Sequence, residues 1–278
     1  MSENVNNDKK NKNLLIRVRS AAILTLIAFA TIIPGGYPCL FICIFISAFG
    51  MMEFMRVVGV HKSTVAIVSY IALAGVYAAV FFDKKELLVP LIMLHLLLLF
   101  AIMVIKFPKY TVIQVLMAFS GLIYIGLGLS YLYQIRAQLT NGAFIIWLVF
   151  ICSWISDSGA YLVGISCGKH KAFPVLSPKK SVEGCVGGVL ASVLMGLLYK
   201  TVLGFFSIEL VDYLELIIIC ACGSVISQAG DLAASAIKRN FEIKDYGHLI
   251  PGHGGIMDRF DSIIFVAPLV YYLGMIFV

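Results

Sequence analysis

LLVPLIMLHLLLLFAIMVI, residues 87–105, runs for nineteen positions without an aspartate, glutamate, lysine or arginine. A helix rises about 1.5 Å per residue, so this run reaches about 30 Å, the depth of a bilayer's hydrocarbon core. Runs of the same kind recur on both sides of it, at 14–34, 37–55, 64–82, 111–133, 143–164, 184–206, 212–237 and 261–278. The penultimate one is the least uniform. The whole chain of 278 residues is 61% hydrophobic and only 13% charged, against about 25% charged in soluble domains. The expected fold class is therefore an all-α integral membrane protein, a polytopic bundle of about nine transmembrane helices.

The net charge is +6. In a soluble protein that would suggest nucleic acid; here its distribution reads as topology. With the amino terminus in the cytoplasm, only Lys84, Lys85, Arg136 and Lys200 fall in outer segments, and the other 17 of the 21 basic residues fall inside. Cytoplasmic loops accumulate lysine and arginine. The amino terminus is thus expected inside and the carboxyl terminus outside, with no nucleic-acid partner. Residues 1–13 are polar and expected to be a disordered cytoplasmic tail. Leu14–Pro34 has the basic flank and apolar run of a signal peptide. No small-residue cleavage site follows and further spans come at once, so it is expected to stay as the first span. Six of the seven cysteines lie in apolar runs, Cys167 lies just past one, and no Cys-x-x-Cys occurs. They read as small apolar filler.

The halves differ in kind. Before residue 140 the only carboxylate well away from the loops is Glu53, whereas Asp157, Glu183, Asp231, Asp258 and Asp261 follow it. Residues 14–140 read as scaffold helices and 141–278 as a catalytic region. In the eighth run Ser224, Gln228, Asp231, Ser235 and Lys238 share one helical face. A charged aspartate in a membrane helix costs about 2.5–3.5 kcal/mol, so the stripe is expected to line a wet cavity; the competing reading is a hydrogen-bonded seam between helices. Ser153, Asp157 and Tyr161 repeat the theme in the sixth run, with an interfacial aromatic belt as the plainer role for Tyr161. Lys169, Lys171, Lys179 and Lys180 cluster in the next loop. Ser181 is placed to cap the following helix, with Glu183 in its first turn and Gly184 and Gly188 set for close packing.

Residues 244–262, KDYGHLIPGHGGIMDRFDS, concentrate charge and glycine before the last run. Asp258 and Asp261 stand three apart. With Asp231 from another helix they form an oxygen-ligand set for a hard cation such as Mg²⁺; a second cation such as K⁺ is admitted. Acids for a metal, bases for phosphates and a lipid-embedded scaffold imply metal-assisted phosphoryl or nucleotidyl transfer onto a lipid.

SAIKRNFEIKDYGHLIPGHGGIMDRFD, residues 235–261, closely resembles the signature of the phosphatidate cytidylyltransferase (CDP-diacylglycerol synthase) family. DSGAYLVG at 157–164, SPKKSVEG at 177–184 and GDL at 230–232 resemble further family blocks. The resemblance implies that CTP and phosphatidate react to CDP-diacylglycerol and pyrophosphate, with a divalent metal, for phospholipid biosynthesis. Asp231, Asp258 and Asp261 would surround the metal and, with Lys238, act in catalysis. Ser177, Lys179, Lys180, Ser235, Arg239, Lys244, His253 and Arg259 would bind substrate, joined by Asp157, Tyr161 and Glu183. Three positions depart from the pattern: Ser181 stands for threonine, Ala234 for glutamate and Ile165 for a basic residue. The resemblance implies a bacterial cytoplasmic membrane with the site facing the cytoplasm, and it admits a homodimer. The rival enzyme is a CTP-dependent polyprenol or phytol kinase. A secondary transporter would show two related broken-helix halves, whereas here the polar residues crowd into one.

Overall fold

The computed structural model of the chain describes residues 25–252 and 254–277. Within them the protein is an all-α polytopic membrane bundle. Eight helices are long and apolar enough to span a bilayer: α1 (Gly36–Val57), α2 (Thr64–Phe81), α3 (Lys85–Ile105), α4 (Val112–Gln138), α5 (Gly142–Cys167), α6 (Val182–Phe205), α7 (Tyr213–Asn240) and α8 (Met257–Phe277). They answer the second to ninth expected spans. The first, 14–34, is described only from 25 on; residues 25–32 are helical and 33–34 turn. The tail 1–13, His253 and Val278 also lie outside them.

Helix starts follow local chemistry. Ser63 accepts from the Ala66 amide at the head of α2. Thr111 with Gln114, and Asp212 with Glu215, form reciprocal capping boxes on α4 and α7, each answering amides that no helical carbonyl can reach. Ser181 caps α6 as expected, accepting from Gly184 N at 3.1 Å. The stretch before it, read from the sequence as a lysine-rich loop, is structured. It holds an antiparallel hairpin of β1 (Lys171–Phe173) and β2 (Ser177–Ser181), pairing Lys171 with Ser181 and Phe173 with Ser177.

The core lies between α1, α4, α5 and α8. On α8, Ile263, Ile264, Val266, Ala267, Val270 and Tyr271 are all buried, which spreads burial around most of that helix. On α3, by contrast, Leu94, Leu97, Leu98 and Val104 are exposed, as befits a lipid-facing helix. Small residues set the closest approaches. A Cβ at Gly184 would lie 2.7 Å from the Ala160 carbonyl oxygen, and one at Gly188 2.8 Å from that of Ser156, so α5 and α6 touch through the expected glycine pair. Both α4 and α5 contain a π-helical stretch, Leu122–Leu127 and Ile151–Ile155. The second ends two residues before Asp157, a placement common beside functional sites.

Candidate active site

The α7 stripe divides into two parts. Its first residues form a seam: Ser224 shares a 2.5 Å hydrogen bond with Ser156 of α5, and Gln228 donates to the Cys185 carbonyl of α6 at 3.0 Å. This part matches the seam reading of the stripe. Beyond Gly230 it becomes charged. Asp231 pairs with Lys180 of the hairpin at 2.5 Å, and Lys238 pairs with Asp258 at 2.9 Å. Ser235 lies half-buried between them. A Cβ at Gly230 would stand 3.0 Å from the Asp261 carbonyl oxygen. The absence of one lets α7 lie directly on α8, which brings Asp231 beside Asp261.

The segment between α7 and α8 folds around two carboxylates. Asp258 accepts from Tyr246 N at 2.9 Å, Gly255 N at 3.0 Å and Lys238 Nζ. The Tyr246 hydroxyl donates to the Ala234 carbonyl of α7 at 3.3 Å, with Lys238 Nζ 5.5 Å above its ring; burial pushes this phenol's pKa up. The Ile250 amide meets the Gly254 carbonyl at 2.9 Å, closing a turn in which Gly252 and Gly254 have φ of 78° and 83°. Side-chain-bearing residues rarely adopt that conformation. The second carboxylate, Glu53, comes from α1 and accepts from Ile256 N and Met257 N.

The expected metal set of Asp231, Asp258 and Asp261 is not assembled in this arrangement. Both Asp258 oxygens are engaged by Lys238 and the two amides. The carboxylate nearest the other two is Asp157 of α5, which lines the apolar cavity with Asp261: both feel the charge of Asp231, and Asp261 also that of Asp157. Lys180 and Arg259 offset the charge on Asp157, and Lys238 that on Asp261. Among the described residues no three of His, Cys, Asp and Glu form a ready metal cage.

Two cavities meet here. A polar one of about 690 Å³ is lined by Lys244, Asp245, His248, Ile250, Pro251, Gly252, Gly254 and Arg259. An apolar one of about 460 Å³ runs among Ile42, Phe45, Ile46, Leu132, Ile146 and Phe150 and ends at Asp157, Asp258, Arg259 and Asp261. Ile250 and Arg259 line both.

Other expected residues stand further out. Glu183 closes the hairpin, accepting from Lys169 N at 3.1 Å and His170 N at 3.2 Å and meeting His170 Nδ1 at 2.6 Å; that is a structural post. Tyr161 is 68% exposed and shares none of the contacts above. Arg239 is exposed near the end of α7, Lys179 is exposed in the middle of β2, and Ser177 is half-buried at the start of β2. Sequence reasoning assigned no role to Tyr246 or Glu53, although Glu53 stood out as the amino half's lone carboxylate far from a loop.

Over residues 15–277 the sequence matches the profile of a family described as the cytidylyltransferase family. Curated relatives named phosphatidate cytidylyltransferase include those of Staphylococcus saprophyticus, 40% identical over 165 residues (59% of this chain, 61% of the relative), and Bacillus subtilis, 41% identical over 155 residues (56% of each). The Staphylococcus epidermidis relative is 42% identical over 150 residues, 54% of this chain and 55% of its own length. In these alignments the chain spans little more than half the length of the curated relatives it matches.

Proposed function

The chain belongs to the cytidylyltransferase family, and from that premise we propose that it transfers the cytidylyl group of CTP to phosphatidate. The observation that carries the reading is the pair of cavities sharing Arg259: one polar and basic-lined, suited to a nucleotide triphosphate, the other apolar, suited to acyl chains. A phosphatidate oxygen attacks the α-phosphorus of CTP. A new P–O–P bond forms, the α–β anhydride bond breaks, and pyrophosphate leaves. The nucleophile is already an anion, so the protein's work is positioning and charge neutralisation. CTP carries about four negative charges and phosphatidate nearly two. Lys238, Lys244 and Arg259 share that load, with Lys180 moving from Asp231 toward phosphate.

Asp231 and Asp261 fit a magnesium ion as a carboxylate pair, because magnesium takes one or two carboxylates and completes its shell with substrate phosphates and water. Such an ion would act as a Lewis acid on the phosphates. The named relatives are bacterial, which supports a cytoplasmic membrane; the excess of lysine and arginine in the inner segments supports the hairpin and the segment before α8 facing the cytoplasm. Cysteine labelling in a background without native cysteines checks this: position 180 should react from the inside and position 84 from the outside.

Purified protein given phosphatidate and CTP labelled at the α-phosphorus should place the label in lipid and release pyrophosphate. Transfer of a γ-label to lipid, with release of CDP, would make the protein a kinase and end this reading.

A further inference from the structure

Among the described residues of the amino half, Glu53 is a charged side chain that reaches the site, and it lines neither cavity. Glu53 is 1% exposed and sits near the end of α1. Its Oε1 accepts from Ile256 N at 3.1 Å and its Oε2 from Met257 N at 2.9 Å. These are the amides at the head of α8, which lack carbonyl partners within the helix. Two glycines of the preceding segment close over the same carboxylate: a side chain at Gly247 or Gly255 would collide with it. Glu53 therefore explains two of the segment's glycines, and it grips the chain just ahead of Asp258, Arg259 and Asp261.

We infer that Glu53 is a positioning residue that fixes the polar cavity's wall and sets where Arg259 and Asp261 stand. It is a latch between the halves. A buried carboxylate in a helix bundle is expensive; here the two amides at the helix head compensate it. Loosening the latch frees the segment ahead of α8, where Lys244, Asp245, His248, Pro251, Gly252 and Gly254 line the polar cavity and Leu249, Ile250 and Ile256 reach the apolar one, so the nucleotide side is disturbed more. This assignment rests on the cytidylyltransferase reading for its kinetic part and on geometry alone for its structural part.

The test compares Glu53→Gln, Glu53→Asp and Gly255→Ala in detergent-purified full-length protein. Glutamine keeps the shape but turns one acceptor into a donor facing an amide. Hydrogen exchange should speed up at least tenfold across residues 254–258 in Glu53→Gln and Gly255→Ala, with α2 and α3 unchanged. The KM for CTP should rise about tenfold in both, while that for phosphatidate stays within about twofold, and Glu53→Asp should fall between. A variant that merely misfolded in part would lose turnover at an unchanged KM. Because both changes break one contact, the double variant should be no worse than the poorer single one. Unchanged exchange in Glu53→Gln would overturn the latch, as would faster exchange with an unaltered KM for CTP. Release of CDP instead of pyrophosphate by the parent enzyme would sink the reaction assignment, while the exchange data would still decide the latch.

Discussion

Tyr77 of α2 donates to the Cys43 carbonyl at 3.0 Å and shares a 2.7 Å hydrogen bond with Ser47, and Ser69 meets His95 at 3.0 Å. In the other half Asp231 is held by Lys180, and Lys238 by Asp258. The first set joins α1, α2 and α3 through groups that are neutral or nearly so. The second joins a hairpin, α7 and α8 through full charges. Interhelical hydrogen bonds between neutral groups in membranes average about 0.6 kcal/mol and need no role beyond packing. Charges there cost several times more, so they persist where something other than packing uses them. Under the proposed function the contrast separates a region that holds from a region that acts, and among the described residues of the amino half Glu53 is the buried charged side chain that links them.

The sharpest way to break that contrast is to neutralise the charged half. Asp231→Asn and Asp261→Asn should each lower turnover by about a hundred- to a thousandfold, the scale of losing one preorganised electrostatic group. Expression and detergent melting should stay close to the parent for Asp261→Asn, whose side chain ties no distant segment, whereas Asp231→Asn also releases Lys180 and the hairpin and should melt somewhat lower. Chelation of divalent metal should lower turnover at least as far. Asp258→Asn should behave differently. It leaves Lys238, whose side chain is 16% exposed, without its anionic partner, a loss of about 3–5 kcal/mol for a buried pair. Turnover and melting temperature should fall together. Equal melting in the Asp258 and Asp261 variants would mean that the segment does not depend on Asp258.

That distinction between Asp258 and Asp261 shows where sequence reasoning stops. The eight described spans were legible because length and hydropathy alone define them, and the Ser181 cap was legible because capping is local. The head of α8 was not. The sequence places its start near 261, but it begins at Met257 because Glu53, about two hundred positions away, satisfies its first amides. The three-residue spacing of Asp258 and Asp261 suggested one helical face with a shared ligand role. The chain instead turns at 261–262, and the backbone of 246 and 255 claims Asp258. Asp157 was legible as a charged intruder in a membrane helix, but its partners come from α7 and α8. The hairpin was missed because strands of three and five residues, rich in lysine, serine and proline, show no alternation to read.

Lys238→Met tests the same half more gently. Asp258 keeps its two backbone donors, so the segment should stay folded while turnover drops about tenfold or more, about 1.4 kcal/mol in the barrier. Lys84→Met is the control, since among the described residues the Lys84 ammonium pairs with Glu86 at 4.0 Å on an exposed surface. Lys85 is a poorer one, because it donates to Tyr271 at 2.7 Å. Equal turnover in the Lys238 and Lys84 variants would reduce the charged end of the stripe to a seam.

The smallest effect belongs to the holding region. Tyr77→Phe keeps the ring in place at a position 2% exposed and removes only the hydroxyl. The Cys43 carbonyl loses a donor, but in a helix that carbonyl is already paired along the backbone. Ser47 loses its partner, yet a serine in a membrane helix can turn to the carbonyl a turn earlier. The expected cost is about 1 kcal/mol of stability, read as a small shift in detergent unfolding. Cys43 also lines the apolar cavity, so the KM for phosphatidate is the sensitive measure of any reach into the site, and it should not move. If instead turnover fell tenfold at unchanged stability, α1 and α2 would be shaping the lipid cavity, and the division between a holding half and an acting half would have to be redrawn along the cavity wall.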